Sequence, residues 1–458
     1  VEPRSRLNLE LAFNKRLSPV LPKPDRDYLR GLKKFVRKYL KSHFHPVEFV
    51  QYDQKLFEAW LEKCEHYSQS RKEQLRRCFF SLQKRSFILN KKDFEGESFV
   101  KSEFYPEAKC LRFINSRSDE FKSYLGPYIK MIEEQVYRDP HFVKGLRIDK
   151  LPEKLVTLSK WDWILETDYS SFESSFAYEY TKVVEQQFLK FFLSKNPKPL
   201  SDALKSYTLK GKERVQRLYN HNYDIAITGC RLSGELWTSL CNGFSNLMNM
   251  MYLCERKGIE ADGFVEGDDG LFGMNNPALT DDDFAKLGFK IKMEYENVVQ
   301  NTTFCGNTFT DESLKLLVNP EQIGRLFWTC NQQYLNARPK TLKGLMKSKA
   351  ASLYVTGRFT PIAGAVAYSQ LLRTADVSFI DEHQYWNHEV LGLFHQLSVT
   401  APVISYHDRY LYNQKFGIPL SDQLVIEQSV LTSDLSQEIR IPYQFMVNSA
   451  FENTRVKH

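Results

Sequence analysis

Gly263-Phe264-Val265-Glu266-Gly267-Asp268-Asp269-Gly270-Leu271-Phe272 sets two short apolar runs on either side of a glycine-flanked pair of aspartates. Apolar runs flanking a Gly/Asp turn are a hairpin signal, because glycine admits the positive φ of a tight turn and aspartate tolerates it. The stretch predicts a β-hairpin whose tip offers a cation two carboxylates. A plain solvated turn has the same sequence, so its meaning depends on what the rest of the chain brings to it.

On its N-terminal side, Trp161-Asp162-Trp163-Ile164-Leu165-Glu166-Thr167 has strand character. It ends in Asp168-Tyr169-Ser170-Ser171-Phe172-Glu173, before a helical stretch running to about Phe192. Asp168 would thus be delivered to a sheet edge, with Glu173 one turn later. Helix capping explains the same residues, since Glu173 lies three residues after Ser170, as a capping box requires. Nearer the hairpin, Arg231-Leu232-Ser233-Gly234-Glu235-Leu236-Trp237-Thr238-Ser239-Leu240-Cys241-Asn242-Gly243 leads into a helix. Thr238 and Asn242, four apart, share a helical face, with Ser233 in the loop before it. Such a row can read a sugar or merely satisfy backbone neighbours.

Beyond the hairpin, 281–287 suggests a helix, Phe289-Lys290-Ile291-Lys292-Met293-Glu294-Tyr295 alternates as a strand, and Thr303-Phe304-Cys305-Gly306-Asn307-Thr308-Phe309 reads as a second tight hairpin. From about residue 320 the pattern is mainly helical, with helices expected at 340–356 and 362–374 and a loop-rich C-terminal quarter. At the other end, helices are expected at 25–41 and 52–82, the first with lysines and arginines opposite its apolar face. That face is either simply solvated or a phosphate-tracking surface. A ribbon follows in which Lys101, Lys109, Arg112 and Arg117 alternate with apolar residues, placing several cations on one side. It could hold a triphosphate or be an ordinary basic hairpin.

The length of 458 residues implies two or three subdomains. With 42% hydrophobic and 14% aromatic residues, global disorder is excluded. The net charge of +7 is compatible with a nucleic-acid partner. Eight scattered cysteines form no zinc-spaced cluster, so reduced thiols in a cytosolic setting are expected. The longest uncharged window, 236–254, is interrupted by Thr238, Ser239, Asn242, Ser245, Asn246 and Asn249 and is a poor membrane span. The chain opens on Val1 rather than Met, the expectation for a processed or trimmed product whose membrane anchor could lie outside it.

In order, these pieces are basic ribbon, strand with Asp168, Ser-Gly loop and helix, Gly-Asp-Asp hairpin, lysine strand and Phe-Cys hairpin. The series resembles the motifs of viral RNA-dependent RNA polymerases, closest to positive-strand enzymes of the tombusvirus-like and nodavirus-like kind. There Lys-x-Glu…Lys-x-x-Arg-x-Ile…Arg, Asp-x-x-x-x-acid, Ser-Gly-x-x-x-Thr-Ser-x-x-Asn, Gly-Asp-Asp and Phe-Cys follow one another. The resemblance spans 99–309, including Gly126-Pro127-Tyr128, and the flanks match only in position and character.

The resemblance implies an α+β right-hand polymerase with an antiparallel-sheet palm and a helical thumb. Residues 1–160 would form the N-terminal extension and fingers, 161–189 and 231–310 the palm, 190–230 a fingers insertion and 311–458 the thumb. It also implies template-directed RNA synthesis from ribonucleoside triphosphates. Phosphoryl transfer of this kind uses two divalent cations about 3.5 to 4 Å apart. Asp168 and Asp268 would hold them, with Asp269 supporting less directly. Mg²⁺ suits such an all-oxygen site, and Mn²⁺ fits similar ligands. Lys101, Lys109, Arg112 and Arg117 would line the nucleotide path, Arg112 foremost. Ser233, Thr238 and Asn242 would read the ribose and position the template. Lys292 would protonate pyrophosphate, with Lys290 and Lys286 as close alternatives. Many relatives carry Asp where Glu173 stands, so sugar recognition here would use a carboxylate one methylene longer. The implied partners are template and nascent RNA and other viral replication proteins, in the host cytoplasm at membrane-associated complexes. A reverse-transcriptase-like palm enzyme and a non-catalytic RNA-binding scaffold are the alternatives.

Overall fold

The Gly-Asp-Asp hairpin forms and sits at one edge of a four-stranded antiparallel sheet in a computed structural model of the chain. The structure describes residues 6–16, 22–65, 67–101, 110–207, 213–218, 224–228, 231–309, 316–326, 337–380, 385–436 and 439. They divide into two units, one built from 6–101, 110–145 and 158–297, the other from 146–157 and 298–439. Among them no helix is long and apolar enough to cross a membrane.

The strands of the first unit are β1 (Gly96–Val100), β2 (Phe113–Arg117), β3 (Trp163–Tyr169), β4 (Glu213–Leu218), β5 (Asp224–Thr228), β6 (Ala261–Glu266), β7 (Asp269–Met274) and β8 (Ile291–Glu296). One sheet runs β2-β1-β4-β5, with β1 and β4 parallel. The other runs β6-β7-β3-β8, every pair antiparallel. Strand alternation gives this second sheet two unlike faces. A Cβ added to Gly270 would meet Thr167 Oγ1 at 2.7 Å and Asn246 Nδ2 at 3.1 Å, so the Thr167 face is the one the Thr238–Lys257 helix covers. Asp168 points to the opposite face, where Lys292 is its cross-strand partner and Glu166 faces Glu294.

Behind the sheet, Phe289 packs against Tyr169, Phe172, Phe176 and Tyr180 with ring centroids 4.7 to 5.7 Å apart. These fully buried rings bend the chain after Asp168 back over the helix side and fix where Glu173 emerges. A further helix, Arg26–His43, buries Leu29, Leu32, Val36, Tyr39 and Leu40 behind this layer. Gly31 lets it approach Tyr252, whose hydroxyl would lie 2.2 Å from an added Cβ.

Three expectations are corrected. The helix expected over 52–82 is two helices, Gln54–Lys63 and Gln69–Lys84, because Ser68 caps the second by accepting the Arg71 N–H at 3.2 Å. Apolar residues recur on both sides of that break, so periodicity alone bridges it. The stretch after Asp168 begins as a 3₁₀ turn, Phe172–Ser175, entered through Ser171 in the left-handed region (φ 56°). No Ser170–Glu173 capping box forms there. The C-terminal quarter is helical, with Tyr385–Phe394, Tyr406–Phe416 and Leu420–Thr432. Two of these helices bury polar groups, Asp408, Gln423 and Glu427, which interrupts the apolar stripe a sequence reading depends on.

The second unit has its own core, in which Pro339–Gly357 and Ala363–Arg373 pack with those C-terminal helices around Tyr354, Val366 and Tyr412. It also holds the Phe-Cys hairpin. Phe304 and Asn307 exchange backbone hydrogen bonds at 3.0 Å across Cys305 and Gly306, both at positive φ as a I′ turn requires. Strand β9 (Asn307–Phe309) then pairs with β10 (Leu316–Val318).

Candidate active site

Glu266 and Asp269 pair at the end of the β6/β7 hairpin, leaving Gly267 and Asp268 as a two-residue turn. Gly267 has φ 62° and Asp268 a negative φ, the combination of a II′ turn with glycine at its first central position. The turn is held from behind. Asn246 Nδ2, in the Thr238–Lys257 helix, donates to the carbonyls of Asp268 and Asp269 at 3.0 and 3.1 Å and approaches that of Gly267 at 3.4 Å. With its backbone anchored so, Asp268 projects its carboxylate outward.

The β3/β7 pairing reaches Thr167↔Gly270, so Asp168 and Asp269 are the next opposing positions, at the open end of the ladder. Asp168, Asp268 and Asp269 are all exposed and Glu173 is half-buried. Asp268 is accessible on one side while protein crowds it on the other. That desolvation, then the negative charges of Glu173 and Asp168, raise its pKa above the ordinary carboxylate value, against the pull of its own backbone N–H and Arg112. Three carboxylates and one guanidinium from three separate stretches therefore share one field.

Glu173 is itself held. Asn242 Nδ2 donates to Glu173 Oε1 at 3.3 Å, and Asn242 Oδ1 accepts from Arg231 Nη1 at 3.1 Å. Arg231 also donates to the Thr238 carbonyl at 3.0 Å and pairs, fully buried, with Glu185 through Nε at 3.0 Å. Tyr207 donates to the other Glu185 oxygen at 2.6 Å. A chain of four side chains thus runs from the core to the site, Glu185–Arg231–Asn242–Glu173. Ser233 stands half-exposed in the loop before the helix. The Thr238 hydroxyl is turned inward, donating to the Leu232 carbonyl at 2.9 Å, so it closes the loop instead of facing the mouth.

The basic ribbon is fastened to that loop. Asn115 donates through its N–H and side-chain amide to the Ser233 carbonyl at 2.6 and 3.2 Å. Gly234, at φ 93°, permits the approach, since a Cβ there would lie 2.7 Å from Ile114. Arg117 differs from its expected place on the nucleotide path. It is 4% exposed, paired with Glu235 at 2.5 Å and bonded to the carbonyls of Phe94 and Ser206. With its donors spent inside the protein, it rivets ribbon to loop. Arg112, half-buried, stays within the field of Asp268, and its carbonyl accepts the Lys101 N–H at 2.8 Å. Lys109 lies outside the described residues.

Lys292 is exposed on the Asp168 face of the sheet and forms an ion pair with Glu294 at 2.6 Å. Lys286 pairs with Asp282 at 2.7 Å and lies by the Tyr28 ring, away from this face. Lys290 is exposed just before β8 and offers its carbonyl to the Ser170 N–H. Of the three lysines, Lys292 alone is paired in register with Asp168.

Among the described residues no three His, Cys, Asp or Glu side chains are already gathered as a metal centre. The donor chemistry nevertheless suits a hard divalent cation. Asp168 and Asp268 offer carboxylate oxygens from neighbouring stretches of the sheet, and the crowding of Asp268 by protein and by the charges of Glu173 and Asp168 is what a bound cation would relieve.

Sequence reading singled out Asp168, Glu173, Asn242, Asp268 and Arg112, and the structure brings these together. It missed Asn246, Arg231 and Glu185. Asn242, Asn246 and Asn249 recur at i, i+4 and i+7 along a buried helix, and that polar stripe was the available signal.

A family model described as viral RNA dependent RNA polymerase matches residues 9–438. No curated protein matches the chain.

Proposed function

The chain belongs to the viral RNA-dependent RNA polymerase family, and we propose that Asp168 and Asp268 are the residues that hold its catalytic cations. Membership carries RNA-directed RNA polymerase activity and leaves neither a reverse transcriptase nor a non-catalytic scaffold as the better account. The observation supporting the site is the common field of Asp168, Asp268, Glu173 and Arg112 at the mouth of the hairpin. Divalent cations held by Asp168 and Asp268, Mg²⁺ by donor hardness, would acidify the attacking hydroxyl and neutralise the triphosphate.

The protein's own residues do the rest. The 3′-hydroxyl of the growing strand loses its proton to solvent and attacks the α-phosphorus of a ribonucleoside triphosphate, the bond to the bridging oxygen breaks and pyrophosphate leaves. Arg112 sets a positive charge beside the phosphates as that negative charge moves onto the leaving group. Lys292, ion-paired with Glu294, is the proton donor to pyrophosphate. Glu173, steadied by Asn242, accepts a hydrogen bond from the ribose 2′-hydroxyl. Ser233 is a further polar contact for sugar or template. Asp269 supports the cation site from the first position of β7, and Lys101 follows Arg112 along the ribbon. Arg117 and Thr238 position the loop rather than touch substrate. In this reading the β6-β7-β3-β8 sheet is a palm, the basic ribbon belongs to fingers and the helical second unit is a thumb.

Asp268→Ala is expected to abolish metal-dependent nucleotide incorporation on an RNA template while its circular dichroism and melting temperature stay those of the parent. Asp269→Ala should be the milder loss. A purified Asp268→Ala protein with parental activity overturns the assignment.

A further inference from the structure

In the first unit three helices, Arg26–His43, Tyr178–Val183 and Glu185–Phe192, gather a cationic surface around one glutamine. Gln187, in the Glu185–Phe192 helix, accepts from Arg37 Nε at 2.9 Å and donates to the Lys182 carbonyl at 2.9 Å. Lys33 lies one turn before Arg37, and Lys190 three residues after Gln187. Lys34 and Lys41 carry the same face along the Arg26–His43 helix. All six cations are exposed except Lys33, which is half-exposed. Among the described residues none of the six forms an ion pair with a carboxylate, although the neighbouring Lys38 does, with Glu255 at 3.2 Å. Lys182 is steadied over the Tyr178 ring at 4.2 Å, which orders the ammonium without neutralising it.

Partial burial and then the charges of Lys33, Arg37 and Lys182 lower the pKa of Lys190. Like charges held this close repel, and a polyanion laid across them would relieve the repulsion.

We propose that this surface, built from Lys33, Lys34, Arg37, Lys41, Lys182 and Lys190, is a second RNA contact that binds the phosphate backbone of template or product outside the active site. The proposal rests on the polymerase reading for the presence of RNA. The choice of RNA over an anionic lipid surface follows from the absence of any large exposed apolar side chain on these three helices, which leaves nothing to insert into a bilayer. The Arg26–His43 helix, whose Arg37 holds Gln187, packs through Phe35 on Tyr252 of the Thr238–Lys257 helix, and that helix covers the sheet face opposite Asp168.

The test compares the parental full chain with Lys33→Gln/Lys182→Gln/Lys190→Gln and with the matching triple Arg variant. Binding of a long fluorescent single-stranded RNA is followed as salt rises, beside primer extension on an RNA too short to leave the active site. Loss of three phosphate contacts should lower the slope of log affinity against log salt by about 2 in the Gln variant. The Arg variant should keep the parental slope, and all three proteins should extend the short primer equally. An unchanged slope in the Gln variant overturns the proposal. So does an unchanged slope accompanied by lost binding to phosphatidylserine vesicles, which would assign the charges to a membrane. Absence of extension by the parental protein would instead count against the polymerase site and leave the slope comparison readable.

Discussion

At the scale of single residues, the least replaceable side chain near the site is one that touches no substrate. Arg231 is 2% exposed, and its fork serves Glu185, the Thr238 carbonyl and Asn242 together. Arg231→Met would strand the Glu185 carboxylate in the core, at a cost of about 3–5 kcal/mol that urea unfolding would register. Arg231→Lys keeps the charge beside Glu185 but has no planar fork with which to hold Asn242 as well. Asn242 would then release Glu173. The expected result is a protein less destabilised than Arg231→Met whose preference for ribo- over deoxyribonucleotides falls roughly tenfold, the worth of about one hydrogen bond. Single-nucleotide incorporation with matched ribo- and deoxyribonucleotides reads it, and unchanged discrimination in Arg231→Lys would remove the relay from the account.

At the scale of elements, the hairpin was legible because turn chemistry is local. Gly267 must adopt a positive φ, Gly270 must leave room for Thr167 and Asn246, and apolar residues flank both. Its supports were not legible, because they depend on which distant groups the fold brings alongside. Asn246 clamps the turn from behind, and the edge strand β6 is braced by the 141–143 segment, where Val265 and His141 share a backbone hydrogen bond at 2.9 Å. The His141 ring bridges Asp139 at 2.6 Å and Asp262 of β6 at 3.4 Å, with the Tyr39 hydroxyl at 3.3 Å and Lys160 on the far side of Asp262. Burial disfavours the charged ring, but the two carboxylates outweigh it and raise its pKa to about 9. A folded-state pKa above the ordinary 6.5 makes the imidazolium stabilising. Its contribution, roughly 3 kcal/mol at most, is complete below about pH 6.5 and fades as pH climbs through about 9. Equilibrium unfolding of His141→Asn beside the parent should therefore show a gap that is widest at slightly acid pH and closes in alkali. A gap independent of pH would mean the ring acts by packing alone.

At the scale of the whole molecule, the sequence pattern distinguished a motif-rich middle from a helical C-terminal part. The helices at 340–356 and 362–374 were readable because their apolar residues recur regularly, and the structure has them at Pro339–Gly357 and Ala363–Arg373. Two of the next three helices were hidden by internal ion pairing. Arg409 and Glu427 meet at 2.6 Å between Tyr406–Phe416 and Leu420–Thr432, and Glu427 also accepts the N–H of Ile362 at 2.7 Å. Polar residues that would mark a solvent face are here part of the interior. The consequence is two cores without a shared member, one around the sheet and one around Tyr354, Val366 and Tyr412. Cavity formation in one core costs what its own neighbours lose. Phe416→Ala, which empties a nearly buried ring from the second core, should cost about 3–5 kcal/mol there. Hydrogen-exchange mass spectrometry should then show faster exchange in peptides from 339–373 and 406–432, with the β3, β6 and β7 peptides as slow as in the parent. Equal acceleration in both sets would mean that the two cores unfold as one cooperative body, and that Asp168 and Asp268 depend for their positions on helices far along the chain.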